Sequence, residues 1–190
     1  MEVTVELLEA IYQRRAVRSF KKTPVAQNVL EELVDAAIQA PSAMNAQPWH
    51  FTVIRNASVL DKISTSSKQF MLATLGNSTS AMHGFREHLG NPDFHIFYHA
   101  PALILISAPG EEWAAEDAAL AAQNLMLSAH HQGLGTCWIG FAQRWLATEE
   151  GKHAINLQRE YLPVAPIIVG HPDGVSPPVP RRAPIIRWVD

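Results

Sequence analysis

The most constraining feature of the sequence is an unbroken apolar run, Leu103-Ile104-Leu105-Ile106, shortly after Pro101. The run has the length of a β-strand, and it carries no polar side chain that could face water. A strand of this kind has to be covered on both of its faces, as strands at the centre of a sheet are. We therefore expect a central strand over residues 101–108.

Periodic patterns on both sides of this run predict the other elements. Apolar residues three or four apart, and one alanine-rich stretch, predict helices over residues 3–13, 25–40, 57–72 and 112–132. Shorter apolar runs predict strands over residues 49–54, 135–141 and 164–169. A last strand, over 185–189, could join this sheet or that of a partner. No repeat or linker divides the chain, so we expect a single domain over residues 1–190.

Two stretches of the chain show no clear period. Residues 73–93 are rich in Gly, Asn, Ser and His, which indicates an excursion of the chain over a site. Residues 172–184 are rich in proline and can form neither a helix nor a central strand, so we expect them to follow a surface.

Composition excludes several classes of function. The net charge is −3, from 15 Lys and Arg against 18 Asp and Glu, which is unlike a basic nucleic-acid-binding protein. Charged residues make up only 17% of the chain, so we expect part of its surface to be hidden in a second copy. No apolar run approaches the roughly 20 residues that span a bilayer, and we expect a soluble, cytoplasmic protein without membrane partners.

Positive charge is concentrated at the two ends of the chain. Eight of the fifteen cationic residues lie in two short segments: Arg14, Arg15, Arg18, Lys21 and Lys22, and then Arg181, Arg182 and Arg187. Guanidinium groups suit phosphate oxygens, so one hypothesis is a small anionic ligand held from both ends. The alternative is a solvated basic face, which charge alone favours.

Other chemistries find little support. His83, His88, His95 and His99 lie in or beside the irregular region, but their spacing matches no zinc pattern, and we expect no metal site. Cys137, the only cysteine, lies in a predicted apolar strand without an adjacent base, which favours packing over nucleophilic catalysis. There is no Gly-x-Ser-x-Gly turn and no Walker loop, and Gly133-Leu134-Gly135 lacks the third glycine of a dinucleotide fingerprint.

The loop between the second helix and the first strand is rich in hydrogen-bonding groups. Its sequence is Pro41-Ser42-Ala43-Met44-Asn45-Ala46-Gln47-Pro48-Trp49. The prolines restrict the backbone, while Ser42, Asn45 and Gln47 offer the polar groups that a polar-edged heterocycle needs. An ordinary helix-to-strand turn is the alternative.

Three motifs in register resemble the FMN-dependent nitroreductase family. They are Arg14-Arg15-Ala16-Val17-Arg18-Ser19-Phe20, Ala40 followed by the 41–49 loop, and Gly133-Leu134-Gly135-Thr136-Cys137-Trp138-Ile139-Gly140. The resemblance runs from about Tyr12 to Trp188. It implies an α+β nitroreductase-like fold, with a central mixed sheet flanked by α-helices, and an intertwined homodimer with FMN at the subunit interface.

The resemblance also implies roles for individual residues in FMN binding. Arg14, Arg15 and Arg18 would hold the phosphate and the polar edge of the flavin, beside Ala16, where the family usually has a serine. Pro41, Ser42, Ala43, Asn45 and Gln47 would bind the flavin, with Ser42 and Asn45 coming from the second subunit. Cys137, Trp138, Ile139 and Gly140 would pass beside the isoalloxazine, and Arg181 or Arg182 would close the phosphate site.

The activity implied by the resemblance is hydride transfer through flavin N5, from NADH or NADPH to a small organic acceptor, by a ping-pong mechanism. The acceptor would be a nitroaromatic, a quinone or an enone, and no protein side chain has to act as the catalytic acid. Candidate residues lining the acceptor pocket are Phe70, His83, Phe85, Phe94 and Tyr98. The alternatives are a flavin-binding or redox-sensing module without turnover, and a reductive dehalogenase on the same fold.

Overall fold

The computed structural model describes residues 6–74 and 86–190. Its helices are α1 (Leu7–Gln13), α2 (Gln27–Ala37), α3 (Ala57–Thr74), α4 (Ala114–His131), α5 (Gly140–Leu146) and α6 (Glu149–Ala154). A 3₁₀ turn covers Ala43–Asn45, and residues 86–90 are also helical. The strands are β1 (His50–Ile54), β2 (Ala102–Pro109), β3 (Gly135–Trp138) and β4 (Tyr161–Gly170).

The four strands form one sheet in the order β1-β2-β4-β3. Every pair of neighbouring strands in it is antiparallel, and a bulge shifts the register between Ile106 and Ser107. A parallel bridge between Ala16 and Thr136 adds the segment after α1 to the free edge of β3, which makes the sheet mixed. The expected α+β architecture is therefore present.

Strand β2 is the centre of the molecule, as its apolar sequence predicts. On one face, Ile104 and Ile106 pack in a cluster with side chains of α2 and α4, including Leu33 and Leu125. On the other face, Leu103 and Leu105 pack in a second cluster with residues from α3, α5 and the 94–100 turn. Each fully buried side chain of this size contributes roughly 1.5–3 kcal/mol, so the two clusters fix the sheet between its helical layers.

The second half of the chain departs from two predictions. The strand expected over residues 135–141 ends at Trp138, and Phe141 lies in helix α5 instead. Helices α5 and α6, which the sequence patterns did not predict, follow one another before β4. Helix α6 begins at a cap, because Thr148 Oγ1 accepts a hydrogen bond from the Gly151 N–H at 3.0 Å.

The C-terminal tail lies on the surface in an extended, irregular form. A bridge between Phe20 and Pro172 and a hydrogen bond from the Lys21 N–H to the His171 carbonyl, 2.9 Å, fix its start. The expectation of a strand over 185–189 in this chain's own sheet is wrong, because those residues form no strand here. The side chains of Ile185 and Trp188 are fully or largely exposed. A strand in a partner's sheet stays a prediction.

Helix α1 forms where it is predicted, over the described part of residues 3–13, but its apolar stripe is not buried within the chain. Leu8 is 65% exposed and Ile11 is 48% exposed, while Ala10 on the opposite side is buried. An apolar stripe of this kind on a surface helix is typical of a contact with another molecule.

Candidate functional site

The arginine-rich segment is held against strand β3 by its backbone. The Val17 N–H donates to the Thr136 carbonyl at 2.9 Å, next to the bridge between Ala16 and Thr136. Gly135 makes this close approach possible, because a Cβ at that position would lie 2.8 Å from the Val17 side chain. Gly135, the second glycine of the Gly133–Gly140 motif, thus sets the position of residues 14–18.

The basic clusters from the two ends of the chain meet at this segment. The pKa of Arg14 is lowered by burial first, then by the positive charge of Arg181 and of Arg15. Between the two tail arginines left open by the sequence, Arg181 is the one whose charge acts on Arg14. The Arg15 Nη1 donates to the carbonyls of Tyr12, 2.6 Å, and Arg14, 2.9 Å.

No acidic side chain neutralises this cluster within the described residues. The ion pairs found there are Arg159–Glu149 and His95–Asp61, and neither involves an arginine of the cluster. The Arg15 Nε is buried and has no hydrogen-bond partner among the same residues. Partly buried guanidinium groups without an acidic partner among these residues form a site for an anion with several acceptor oxygens, such as a phosphate.

Cys137 lies beside the same arginines but is not an activated nucleophile. Its thiol is buried in strand β3, and burial raises its pKa, while the charges of Arg18 and Arg14 oppose that shift only in part. Its neighbour Ile139 has already used its N–H, which donates to the Pro166 carbonyl at 2.8 Å. The 137–140 stretch is therefore part of the sheet and of the start of α5, with Gly140 exposed.

The 41–49 loop is preorganised by its own hydrogen bonds. Ser42 Oγ accepts from the Gln47 N–H at 3.0 Å, and Gln47 Nε2 donates to Asn45 Oδ1 at 3.1 Å. Met44, Asn45 and Gln47 all have left-handed backbone angles, with φ of 52°, 56° and 48°. Such residues persist only where the surroundings hold them, which is common in loops that bind ligands.

The carboxylate of Asp117 attaches this loop to the start of helix α4. Asp117 is 5% exposed, and its Oδ1 accepts a hydrogen bond from the Ala43 N–H at 3.0 Å. Asp117 was not predicted as a site residue, and the signal that could have revealed it is an acidic residue among the apolar positions of an alanine-rich helix.

The two halves of the implied site lie at opposite ends of α4. Asp117 is in the first turn of the helix, while the arginine segment lies by His130 in its last turn. Thirteen residues of helix separate these positions, which corresponds to about 20 Å. The 41–49 loop and the arginine cluster of one chain therefore cannot contact the same part of one small ligand.

A separate group of metal-ligand side chains lies in a cavity of about 680 Å³ near the start of α3. Atoms of Asp61, His95 and His99 are within 4.8 Å of one another. The Phe97 N–H donates to His95 Nδ1 at 3.2 Å, so the neutral ring carries its proton on Nε2, which lies 3.1 Å from Asp61 Oδ1. Both ring nitrogens of His95 are thus occupied, and the arrangement fits a structural histidine better than a metal ligand.

The candidate acceptor-pocket residues are partly packed into the protein. Phe70, Phe94 and Tyr98 are half-buried against the cluster beneath β2, and the rings of Phe94 and Tyr98 meet edge to face at 5.7 Å. His83 and Phe85 lie outside the described residues, as does most of the excursion expected over 73–93.

The described helices include none that is both long and apolar enough to cross a membrane.

Comparisons with known proteins agree with the resemblance seen in the sequence. The sequence profile of the Nitroreductase family matches residues 11–171. A crystal structure of a nitroreductase with bound FMN from Bacteroides fragilis superimposes with a TM-score of 0.85 at 25% identity, over 97% of this chain and 99% of the other.

Two relatives differ in the activity that their names describe. A Methanothermobacter thermautotrophicus protein, provisionally named NADH dehydrogenase/NAD(P)H nitroreductase, is 27% identical over 179 residues, which is 88% of this chain and 78% of the relative. Iodotyrosine deiodinase of Thermotoga neapolitana is 27% identical over 187 residues, which is 96% of this chain and 97% of the relative.

Proposed function

Because this chain belongs to the nitroreductase family, we propose that it is a homodimeric FMN enzyme that transfers hydride from NADH or NADPH to a small organic acceptor. The observation that carries the proposal is the cluster of Arg14, Arg15 and Arg181, which has no acidic partner among residues 6–74 and 86–190. The relative from Bacteroides fragilis binds FMN, whose phosphate is an anion of the kind that this cluster suits.

The residues present fit the cofactor. Arg14, Arg15 and Arg181 would hold its phosphate, and Arg18, which lies near Cys137, would face the polar edge of the flavin. Ala16 stands where the family usually has a serine, so one hydroxyl contact is missing. A neutral hydrogen bond contributes only about 0.5–1.5 kcal/mol, which the guanidinium groups can offset.

The bound FMN would supply the hydride chemistry, accepting two electrons from a nicotinamide and passing them to the acceptor. The protein contributes position and charge. The positive charge of Arg18 stabilises negative charge on groups near it. The buried thiol of Cys137 stays protonated because burial raises its pKa. Because the proposed hydride donor is NADH or NADPH, which are found inside the cell, we also expect a cytoplasmic protein.

The second half of the site would come from the partner subunit. Within one chain, the anchor of the 41–49 loop at Asp117 and the arginine segment by His130 are separated by about 20 Å along α4, which supports a site in which Ser42 and Asn45 come from the other chain. The exposed apolar stripe of α1 supports an extensive contact between subunits.

The tail would complete the dimer by pairing with β1 of the partner. Among the described residues, the outer edge of strand β1 pairs with no other strand, and a groove of about 520 Å³ lies between β1 and α2. The groove combines apolar side chains with the acidic Glu31 and Asp35 and the basic Arg55. The tail segment over 185–189 offers apolar side chains for the apolar part of the groove, and Arg187 could pair with one of its two carboxylates.

The test is an absorbance spectrum of the purified protein after addition of FMN and removal of free flavin. We expect bands near about 370 and 450 nm that NADH or NADPH bleaches under nitrogen, and that an added quinone or nitroaromatic restores. Retained flavin that neither nucleotide bleaches would favour the flavin module without turnover. A protein that retains no flavin would contradict the cofactor assignment.

Reductive dehalogenation is the second candidate, because the deiodinase of Thermotoga neapolitana matches nearly the full length of both chains. The reduced protein would then release iodide from an iodinated phenol faster than it reduces a quinone. Measurement of both rates on one reduced sample distinguishes the two functions.

A further inference from the structure

His130 carries a buried polar atom that no other described group satisfies. The residue is in the last turn of α4, and its Nε2 is buried without a hydrogen-bond partner among the described residues. A buried nitrogen without a hydrogen-bond partner is unfavourable, so this one calls for an explanation. The adjacent His131 points elsewhere and lines a shallow groove between α1 and α4.

The charges that face His130 come from the arginine segment and from α1. Burial is the main cause that lowers the pKa of its imidazole, followed by the charges of Arg14 and Arg15, while Glu9 opposes them. Arg181 of the tail adds a further positive charge next to Arg14. Without an anion in the cluster, the His130 ring is therefore neutral near pH 7.

We propose that His130 is a ligand of the FMN phosphate and takes up a proton when that phosphate binds beside Arg14 and Arg15. The inference rests on the proposed function, since it needs the phosphate to occupy the arginine cluster. A phosphate with nearly two negative charges reverses the sign of the local potential, which favours the imidazolium. The protonated Nε2 then donates a charge-assisted hydrogen bond to a phosphate oxygen, and the buried nitrogen gains a partner.

The pH dependence follows from this linkage. Binding raises the pKa of His130 from its lowered free value, so the protein with FMN binds more protons than the protein without it. FMN affinity therefore increases as pH falls through the bound-state pKa, and the gain levels off below the free-state pKa. The phosphate itself gains a proton near pH 6, so the difference between the wild type and His130→Gln between about pH 8 and pH 6.5 separates the contribution of His130 from that of the phosphate.

The test is calorimetry of FMN binding at pH 7 in two buffers that differ in ionisation enthalpy, which counts the protons taken up. We expect the wild-type protein to take up a substantial fraction of a proton with FMN and none with riboflavin, which lacks the phosphate. His130→Gln should abolish that uptake and weaken FMN binding about tenfold at pH 6.5, with little effect at pH 8.5. His131→Gln, on the same turn, is the matched control and should behave as wild type.

An independent readout is the His130 imidazole resonance, assigned by its absence in His130→Gln. Its pKa should rise on addition of FMN. FMN binding without extra proton uptake in the wild type would overturn the role of His130 and leave the cofactor assignment intact. A wild-type protein that binds no FMN would overturn both. The comparison of FMN with riboflavin needs no variant, so an absence of proton uptake overturns the proposal even if His130→Gln does not fold.

Discussion

At the scale of single residues, the proposed function depends on arginine charges that have no acidic partner among the described residues. Arg14 is the centre of this arrangement, since its charge interacts with Arg181 from the tail and with Arg15 beside it. Repulsion among these groups destabilises the protein without ligand, and a bound anion converts it into attraction. The cluster therefore stores part of the binding free energy in the free protein.

Replacing Arg14 removes the residue that connects the two basic segments. We expect Arg14→Gln to weaken FMN binding by roughly 10- to 100-fold, because a charge-assisted contact to phosphate is lost, and to leave stability unchanged or slightly higher. Quenching of flavin fluorescence measures the affinity, and thermal unfolding without FMN measures the stability.

The control is Arg159→Gln, since Arg159 is an exposed arginine paired with Glu149 at 3.0 Å. An equal loss of FMN affinity in both variants would show that general surface charge, rather than the cluster, attracts the cofactor.

Asp117 attaches the 41–49 loop to helix α4. In Asp117→Ala the Ala43 N–H loses its acceptor, so we expect the free energy of unfolding to fall by about 1–3 kcal/mol. FMN affinity should fall too, because Ser42 and Asn45 lose their fixed positions. Chemical denaturation and fluorescence titration measure the two effects. Glu116→Ala, at the exposed neighbouring position, should change neither, and a stable, tightly binding Asp117→Ala protein would disprove this role.

At the scale of elements, the contact between the arginine segment and β3 positions the site. Gly135→Ala would place a methyl group 2.8 Å from the Val17 side chain, so either the segment or the strand has to move. We expect a loss of about 1–3 kcal/mol in stability and a marked loss of FMN affinity, since Arg14 and Arg18 shift with Val17.

Gly90 provides the comparison for this change, because a Cβ there meets no atom within 4 Å. Gly90→Ala should be neutral or slightly stabilising in the same denaturation and binding measurements. Unchanged FMN binding in Gly135→Ala would mean that the arginines find the phosphate without support from β3.

The elements that periodicity predicted are the ones with long or strongly apolar patterns. Helices α2, α3 and α4 and strand β2 each show their pattern over enough residues for the period to be clear. Helices α5 and α6 span 7 and 6 residues and were missed. Helix α1 is as short, but it was predicted because its apolar spacing extends over residues 3–13 of the sequence. The strand predicted over 135–141 was too long. Ile139 and Phe141 are apolar and so continue the strand pattern, but they lie in the turn and the helix that follow β3.

The site was predictable to the extent that it depends on local sequence. The arginine clusters and the Pro41–Trp49 loop were visible as motifs, and they are the residues that the structure brings to the two ends of α4. Asp117 and His130 were not predicted as site residues. Asp117 acts on Ala43 across 74 positions of the chain, and the neighbours of His130 come from α1 and the arginine segment. Contacts of that kind become apparent only in the folded chain.

At the scale of the whole molecule, the exposed tail supports the proposed dimer. Ile185 and Trp188 are fully or largely exposed, and such apolar side chains are stabilised by burial against a second subunit. Removal of residues 184–190 should shift the protein from dimer toward monomer and reduce FMN binding with it. Sedimentation equilibrium and fluorescence titration measure the two quantities, and a truncated monomer that binds FMN normally would contradict a shared site.

The length of helix α4 also has a genetic consequence. One end of α4 carries the arginine half of the proposed site and the other end carries the loop half. In the proposed dimer there would be two sites, and each would combine the arginine half of one chain with the loop half of the other. Two inactive chains, one damaged at Arg14 and the other at Asp117, would complement each other when produced together. Random pairing would restore about a quarter of all sites, always one in each mixed dimer.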